Sequence, residues 1–445
     1  MRPAGIIQHS IRLLYLAGMA AVAACTEPQP EPTRPNIVII MADDLGYGGI
    51  GSYGNDSIRT PNLDSLAAKG LSFTDFYANA PVCTPTRAAL MTGNYQQRSG
   101  LEGVIYVRGE TRQVGLDSSQ LTIAKLMKGQ GYATGIMGKW HLGYQPEYNP
   151  VQHGFDEFYG YVSGNIDYHT HYDNAGIYDW WHNLDTIQEE GYVTDLITEH
   201  AVDFIHQHKE QPFFLYVAHE APHVPFQGRN DPGYRYPGQE FSYYGPVEDQ
   251  QRAYREMVEV MDEGIGKMMQ SLRQNGLEEN TLVFFLSDNG AEAFGSNGGL
   301  SGQKTNLYEG GIRVPAIAYW KGRISPATSP QPAMSMDLLP TALALGGAEQ
   351  STTSAFDGKN LTGLLLEQQL LDERPLFWRY RNEKAVRKQN WKLLISAGDT
   401  LLFNLEEDMY EQEDLADSQP ARVEELGKAL DEWETEMSAV EMKTR

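Results

Sequence analysis

Side chains that bind metal ions follow the ends of two apolar runs in this sequence. The run NIVIIM is followed by Asp43 and Asp44, and the run TLVFFL is followed by Asp288 and Asn289. Three carboxylates and one amide oxygen form a set of hard donors that suits Ca²⁺, with Mg²⁺ less favoured. Each pair alone is also typical of a turn or a helix cap. Because the acids would repel one another in a cleft without a cation, together they favour a metal site.

Two further runs end near side chains that carry or accept positive charge. GYATGIMG is followed by Lys139 and His141, and FFLYVA by His219 and His223, while Lys304 stands in a glycine-rich stretch. Each of these could instead be a solvated lysine or a packing histidine. The chain has 35 Lys and Arg against 59 Asp and Glu, a formal net charge of −24. That charge disfavours nucleic acid and anionic membranes as partners, so an anionic substrate requires a local basic pocket of this kind.

A cysteine stands at the predicted start of a helix in the stretch PVCTPTRAALMTG. Pro85 suits the first turn of a helix, so Cys83 would lie where the helix N-terminus attracts anions. Arg87, one turn later, could point back at the thiol. A small buried cysteine is the commonest alternative. The chain has only two cysteines, and a thiol beside an arginine at a helix start favours a reactive group.

The order of the apolar runs predicts the elements that must position these residues. Continuous apolar runs are typical of strands buried on both faces, and helical patterns lie between them. We therefore expect an α/β fold for 36–345, with a large, mostly parallel sheet between helices and its ligands at the carboxyl ends of the strands. The region 346–445 is predicted to be a smaller α+β domain on an antiparallel sheet, closed by an amphipathic helix.

The N-terminal residues predict processing and export. Residues 1–24 have the layout of a secretory leader, and their apolar run is short for a transmembrane helix. The leader ends in VAAC, which resembles the lipoprotein box. In such a box the cysteine, here Cys25, is acylated. The alternative is an ordinary leader in which the cysteine occurs by chance. Residues 25–35 then form a Pro-rich tether. We expect an exported protein at the periplasm or cell surface that contacts the membrane only through this lipid. If Cys25 is acylated, Cys83 has no partner for a disulfide.

The motifs together resemble the type I sulfatases of the alkaline phosphatase superfamily. Cys83 to Arg87 match the C-x-P-x-R signature of that family, and the resemblance extends from Asn36 to the C-terminus. It is carried by PNIVIIMADDLGYGGIGSYG, TPNLDSLAAKGLSFTDFYANAPVCTPTRAALMTG, GKWHLG, HGFDEFYGYVSGNIDY, APHVP, LSDNGA and QKTNLYEGGIRVP. The resemblance implies an alkaline phosphatase-like fold and hydrolysis of sulfate esters.

The resemblance also implies a mechanism and a cofactor. In the family the cysteine is oxidised by a dedicated maturation enzyme to Cα-formylglycine, whose hydrated form attacks sulfur with one hydroxyl and then ejects sulfate by deprotonation of the other. The implied Ca²⁺ ligands are Asp43, Asp44, Asp288, Asn289 and the group formed from Cys83. Arg87 would steady the formylglycine hydroxyl, while Lys139 and Lys304 would neutralise sulfate oxygens. His141 would accept the proton of the elimination step, and His223 would donate to the leaving oxygen.

The predicted substrate is a sulfated polysaccharide or oligosaccharide. The loop SGNIDYHTHYDNAGIYDWWHN could form a sugar platform, although Trp180 and Trp181 could equally pack beneath it. The residues that we assign to substrate binding are Ser163, His219, Trp378, Arg379 and Arg381. Two alternatives remain open at this point. One is a phosphonate monoester or phosphodiester hydrolase of the same superfamily, and the other is a non-catalytic glycan-binding lipoprotein.

Overall fold

The computed structural model describes residues 34–239, 241–353 and 355–444. The predicted signal peptide, the lipidation site Cys25 and all but the last two residues of the tether lie outside the described residues. Within the described ranges, no helix is both long and apolar enough to cross a membrane.

A ten-stranded sheet forms the centre of the fold, in the order β11-β2-β10-β9-β1-β8-β4-β5-β6-β7. In the described part of the chain the strands are β1 (Asn36–Ala42), β2 (Leu71–Phe73), β3 (Phe76–Tyr77), β4 (Ala133–Lys139), β5 (Glu157–Tyr161), β6 (Trp181–His182), β7 (Asp185–Thr186), β8 (Phe213–Ala218), β9 (Thr281–Ser287), β10 (Ala316–Tyr319), β11 (Ala327–Ser329), β12 (Ala333–Met334), β13 (Leu376–Tyr380), β14 (Glu383–Lys388), β15 (Trp391–Ser396) and β16 (Asp399–Asn404). The five central strands, from β9 to β5, are mutually parallel. The outer strands β10 and β6 run antiparallel to their inner neighbours. The predicted mostly parallel sheet is therefore confirmed.

Helices cover both faces of this sheet. The described helices are α1 (Pro61–Lys69), α2 (Cys83–Thr92), α3 (Ile123–Gly129), α4 (Val193–Gln207), α5 (Gln250–Gln274), α6 (Glu309–Ile312), α7 (Leu338–Leu345), α8 (Gln350–Thr353), α9 (Thr362–Glu367) and α10 (Pro420–Thr444). Alternate side chains of β1 enter opposite cores: Ile39 packs with α2, α3 and α7, and Ile40 packs with α1, α4 and α5. Every residue of β1 is buried, which explains why its sequence is a continuous apolar run.

The smaller antiparallel sheet consists of β13 to β16 in sequential order. The helix α10 packs on this sheet through Leu430 and Trp433. Residues that follow position 346 first add Leu361 and Leu364 to the core of the large sheet, and the small sheet begins only at Leu376. The antiparallel sheet predicted for this region is confirmed, whereas the predicted domain boundary at 346 stays a prediction.

A buried charge network joins the small sheet to the loop that carries Lys304. Lys392 on β15 lies 2.9 Å from Glu309 Oε1 and 2.8 Å from Glu411 Oε1, and all three residues are buried. Glu309 also accepts a 2.6 Å hydrogen bond from the Tyr77 hydroxyl. Because Glu309 opens α6 directly after the Lys304 loop, β15 helps to fix one end of that loop.

Replacing Lys392 with methionine is expected to destabilise the protein by about 3–5 kcal/mol, because two buried carboxylates lose their shared cation. The measurement is the free energy of unfolding from chemical denaturation. Lys388→Met is the matched control: its ion pair with Glu425 is solvent-exposed, so its denaturation midpoint should stay close to that of the wild type. Equal midpoints for the two variants would contradict the structural role of Lys392.

Candidate active site

The acidic residues converge because their strands are neighbours. β1 pairs with β9 in parallel register, so the residues after Ala42 and Ser287 meet at one edge of the sheet. The backbone N–H of Asp44 donates to Asp288 Oδ1 at 3.2 Å. Asp44 has a left-handed backbone (φ 63°), which turns the chain sharply at this edge. The predicted convergence of the two pairs at the carboxyl ends of the strands is confirmed.

Four side chains at this edge could hold one cation. Ligand atoms of Asp43, Asp44, Cys83 and His223 all lie within 4.8 Å of one another. The Asn289 amide donates to Asp44 Oδ1 at 2.6 Å, while its Oδ1 is buried with no hydrogen-bond partner among the described residues. An orphaned amide oxygen beside carboxylates matches the hard donors that Ca²⁺ prefers, so the residues present fit such an ion.

Three basic side chains balance the three acids. Arg87 lies 2.9 Å from Asp288 Oδ2, Lys139 pairs with Asp43, and Lys304 lies 2.6 Å from Asp44 Oδ2. The repulsion expected from the sequence is therefore relieved by these side chains, and the cluster is formally neutral. A divalent cation added to this cluster would leave a net charge of +2, which favours an anionic ligand.

The carboxyl groups of this cluster have different pKa values. Burial disfavours the charged form of Asp44, but Lys304, His223 and Asn289 together outweigh burial and lower the pKa of Asp44 to about 2. Burial and then the adjacent Asp43 carboxylate raise the pKa of Asp288 to about 7. Of these two side chains, Asp44 is thus the more acidic and the stronger candidate ligand.

Cys83 is the first residue of α2, as predicted, but its thiol is not activated. Burial, and then the Asp43 carboxylate, raise the pKa of Cys83 well above its usual value. The thiol donates to Asp43 Oδ1 at 3.3 Å, while the Arg87 guanidinium is engaged by Asp288. In the unmodified residue the thiol is therefore protonated and a weak nucleophile, and the reactivity predicted for this position stays a prediction.

The two site histidines present different ring nitrogens. His141 Nε2 lies 2.9 Å from the Ile105 carbonyl, so it carries the proton and leaves Nδ1 as the acceptor. His223 Nδ1 donates to the Val224 carbonyl at 2.7 Å, which leaves the Nε2 lone pair 3.6 Å from Asp44 Oδ2. Burial lowers the pKa of His141 and that of His223, the latter to about 3, and nearby lysines add to the effect. Both rings are thus neutral at pH 7.

A cavity of about 290 Å³ opens over this cluster. Of the residues predicted from the sequence, its walls contain Cys83, His141, Ser163, His223, Lys304 and Arg381. Lys139, Arg87 and the acids lie behind these walls and are fully buried or nearly so. The walls also contain Asn165 and Asn174, which belong to the loop predicted as a sugar platform. Three further wall residues were not singled out from the sequence: Tyr106, Tyr243 and Glu292. Only the tyrosine-rich stretch YRYPGQEFSYYG offered a signal for one of them.

Three residues that the sequence assigned to substrate binding do not line this cavity. Trp378 is fully buried and donates through Nε1 to the Ala78 carbonyl at 2.9 Å. Arg379 pairs with Glu102 at 2.6 Å and lies outside the cavity walls. His219 is fully buried beside β1, to which its backbone N–H donates. The other two residues assigned to substrate binding, Ser163 and Arg381, do line the cavity; Arg381 reaches it because it lies in the turn beyond the end of β13.

The two tryptophans of the loop SGNIDYHTHYDNAGIYDWWHN do not line the cavity, although Ser163, Asn165 and Asn174 of the same loop do. Trp180 is fully buried, and its Nε1 donates to Glu189 Oε2 at 2.6 Å. Trp181 donates to Asp179 Oδ1 at 2.6 Å and does not line the cavity. The packing alternative is therefore correct for Trp180.

Comparisons with known proteins identify the family. The sulfatase family model matches residues 35–348. The chain is 37% identical over 396 residues to N-acetylgalactosamine-6-sulfatase of Homo sapiens, covering 83% of this chain and 71% of that protein. It is 38% identical over 425 residues to arylsulfatase A of Bos taurus, covering 86% and 77% respectively. The structure of Ps i-CgsB in complex with k-i-k-neocarrahexaose matches with a TM-score of 0.81 and 33% identity over 90% of this chain and 93% of that chain. The chain therefore belongs to the sulfatase family and is an enzyme that hydrolyses sulfate esters.

Proposed function

We propose that this sulfatase acts on a sulfated oligosaccharide or polysaccharide, and that its nucleophile is Cα-formylglycine formed from Cys83. The proposed formylglycine nucleophile rests on the surroundings of the Cys83 thiol. Cys83 lines the cavity, yet its raised pKa keeps the thiol protonated. A protonated thiol also lacks a second group whose deprotonation could release sulfate, so we expect a formylglycine-generating maturation enzyme to convert it.

The residues around position 83 would divide the chemistry as follows. The modified residue supplies one hydroxyl that attacks sulfur and a second whose deprotonation releases sulfate. Asp43, Asp44, Asp288 and Asn289 would hold Ca²⁺, which polarises a sulfate oxygen when bound. Arg87, buried behind position 83, contributes fixed positive charge to the nucleophile.

The lysines and histidines would handle charge and protons. With Asp43 and Asp44 engaged by a cation, Lys139 and Lys304 would be free to neutralise sulfate oxygens. His141 Nδ1, which is buried without a partner among the described residues, would accept a proton from position 83. His223 Nε2 faces the cavity side of Asp44; an anionic ester favours a proton there, which the leaving oxygen then takes.

Polar cavity walls and the relatives support a glycan substrate. Ser163, Asn165 and Arg381 offer hydrogen bonds to hydroxyl or anionic groups of a sugar. The name of one relative specifies an N-acetylgalactosamine sulfate, and Ps i-CgsB was solved with a bound neocarrahexaose. The predicted leader and Cys25 add the proposal of an exported enzyme, lipid-anchored at the periplasm or cell surface, where a polymeric glycan would be met.

The test is sulfate release by matured protein, co-produced with a formylglycine-generating enzyme, from a panel of defined sulfated oligosaccharides. We expect inorganic sulfate from at least one glycan, and a peptide mass that shows an aldehyde in place of the Cys83 thiol. Matched phosphonate and phosphodiester substrates form the control. Faster turnover of a phosphorus ester, or full activity with an intact thiol, would contradict the proposal.

A further inference from the structure

Three exposed aromatic side chains lie together at one edge of the cavity. We call Tyr243, Tyr244 and Phe294 the aromatic rim; their exposed fractions are 48%, 39% and 43%. Tyr243 also lines the cavity itself. Large rings held this far in solvent are costly unless they meet a partner, so such patches commonly mark binding sites.

A buried ring fixes the rim in place. Phe226, which is 2% exposed, stacks on Tyr244 with centroids 5.9 Å apart and an interplanar angle of 9°. Its other contacts are edge-on, with Phe294 at 5.4 Å and with Tyr254 of α5 at 5.8 Å. The Phe226 backbone N–H also donates to the Tyr244 carbonyl at 2.9 Å. The segments that carry Tyr244 and Phe294 are thus held against the fold while their rings face solvent. Rings that are already ordered lose less entropy when a ligand binds.

A carboxylate connects the rim to the sulfate-binding side of the cavity. Glu292 Oε2 lies 3.5 Å from the Tyr243 hydroxyl and 3.3 Å from Lys304 Nζ. It can accept hydrogen bonds from sugar hydroxyls, and it repels a second sulfate brought to the same wall. Arg381, which lines the cavity too, is the side chain suited to a further anionic group.

We infer that the aromatic rim and Glu292 form a subsite for an uncharged sugar ring linked to the sulfated one. The apolar C–H face of the ring would pack on Tyr243, Tyr244 or Phe294, and its hydroxyls would donate to Glu292. This inference rests on the proposed glycan substrate and deepens it: the preferred substrate is an oligosaccharide whose ring next to the reacting sugar carries no sulfate.

The first test compares the matured wild type with Tyr244→Ala and Phe294→Ala. The measured quantity is the ratio of kcat/KM on a sulfated oligosaccharide to kcat/KM on a small aryl sulfate, which has no second ring to pack on Tyr244 or Phe294. Each alanine variant should lower this ratio about tenfold through lost ring contact. Tyr244→Phe, which keeps the ring, should retain it. Tyr236→Ala is the matched control, since Tyr236 is 45% exposed and does not line the cavity.

The second test uses oligosaccharide pairs that differ by one sulfate on the neighbouring ring. The wild type should favour the member without that sulfate by at least about tenfold, and Glu292→Gln should narrow the preference because the repelling charge is gone. Each enzyme is compared on two substrates that need Lys304 equally. A change in Lys304 therefore affects both rates alike and cancels in their ratio. Unchanged ratios in both tests overturn the subsite and leave a glycan sulfatase standing. Activity on aryl sulfate with no release from any glycan overturns the subsite and the glycan substrate together.

Discussion

Cys83→Ala is expected to abolish sulfate release, with kcat lowered by a factor on the order of 10⁴ or more, as for loss of other covalent nucleophiles. Alanine can neither become formylglycine nor attack sulfur. The residues around it, including Lys304 and His141, retain their positions and can still bind the ester. The measurement is steady-state release of inorganic sulfate by protein produced together with the maturation enzyme.

Two further variants sharpen this result. Cys83→Ser keeps a hydroxyl but lacks the second hydroxyl needed for elimination, so it should release the alcohol at most once per site without turnover. Cys25→Ala is the matched control because it removes the only other cysteine, outside the catalytic region, and should keep the wild-type kcat. Multiple turnovers by Cys83→Ala would place the nucleophile at another residue.

Removal of divalent cations is expected to lower turnover at least about 100-fold, with recovery on addition of Ca²⁺ and weaker recovery with Mg²⁺. The reason is the charge balance of the site. Asp43, Asp44 and Asp288 are matched one for one by Arg87, Lys139 and Lys304, so without a cation the site has no net charge to hold an anionic ester.

The chelated protein should also be less stable. A ligand that binds only the folded state raises the free energy of unfolding with the logarithm of its concentration over its dissociation constant, so the thermal midpoint should rise with added Ca²⁺. Asp44→Asn should blunt this rise, because it removes the carboxylate that stays most strongly ionised. Asp64→Asn is a suitable control, since Asp64 caps a turn remote from the cation cluster. Full activity in protein shown by elemental analysis to hold no divalent cation would contradict the metal site.

The sequence alone predicted the large sheet and the edge at which the site forms. Buried parallel strands show as unbroken apolar runs, and each run here ended in polar side chains, so Asp43, His141 and Asp288 could be placed together without coordinates. The same reasoning placed Cys83 at the start of α2. These features depend on periodicity and chain order, which are local properties of a sequence.

Only the tertiary structure decided which of the candidate side chains reach the cavity and what they contact. Trp378 and Arg381 are only three residues apart, and β13 ends between them. Trp378 is fully buried and donates to the Ala78 carbonyl, whereas Arg381 lines the cavity. Two other features join segments that are far apart in the chain. Arg87 pairs with Asp288 instead of Cys83, and the exposed Tyr243 lies beside Glu292. Burial and charge pairing at such long range depend on how the elements pack, and no local pattern encodes them.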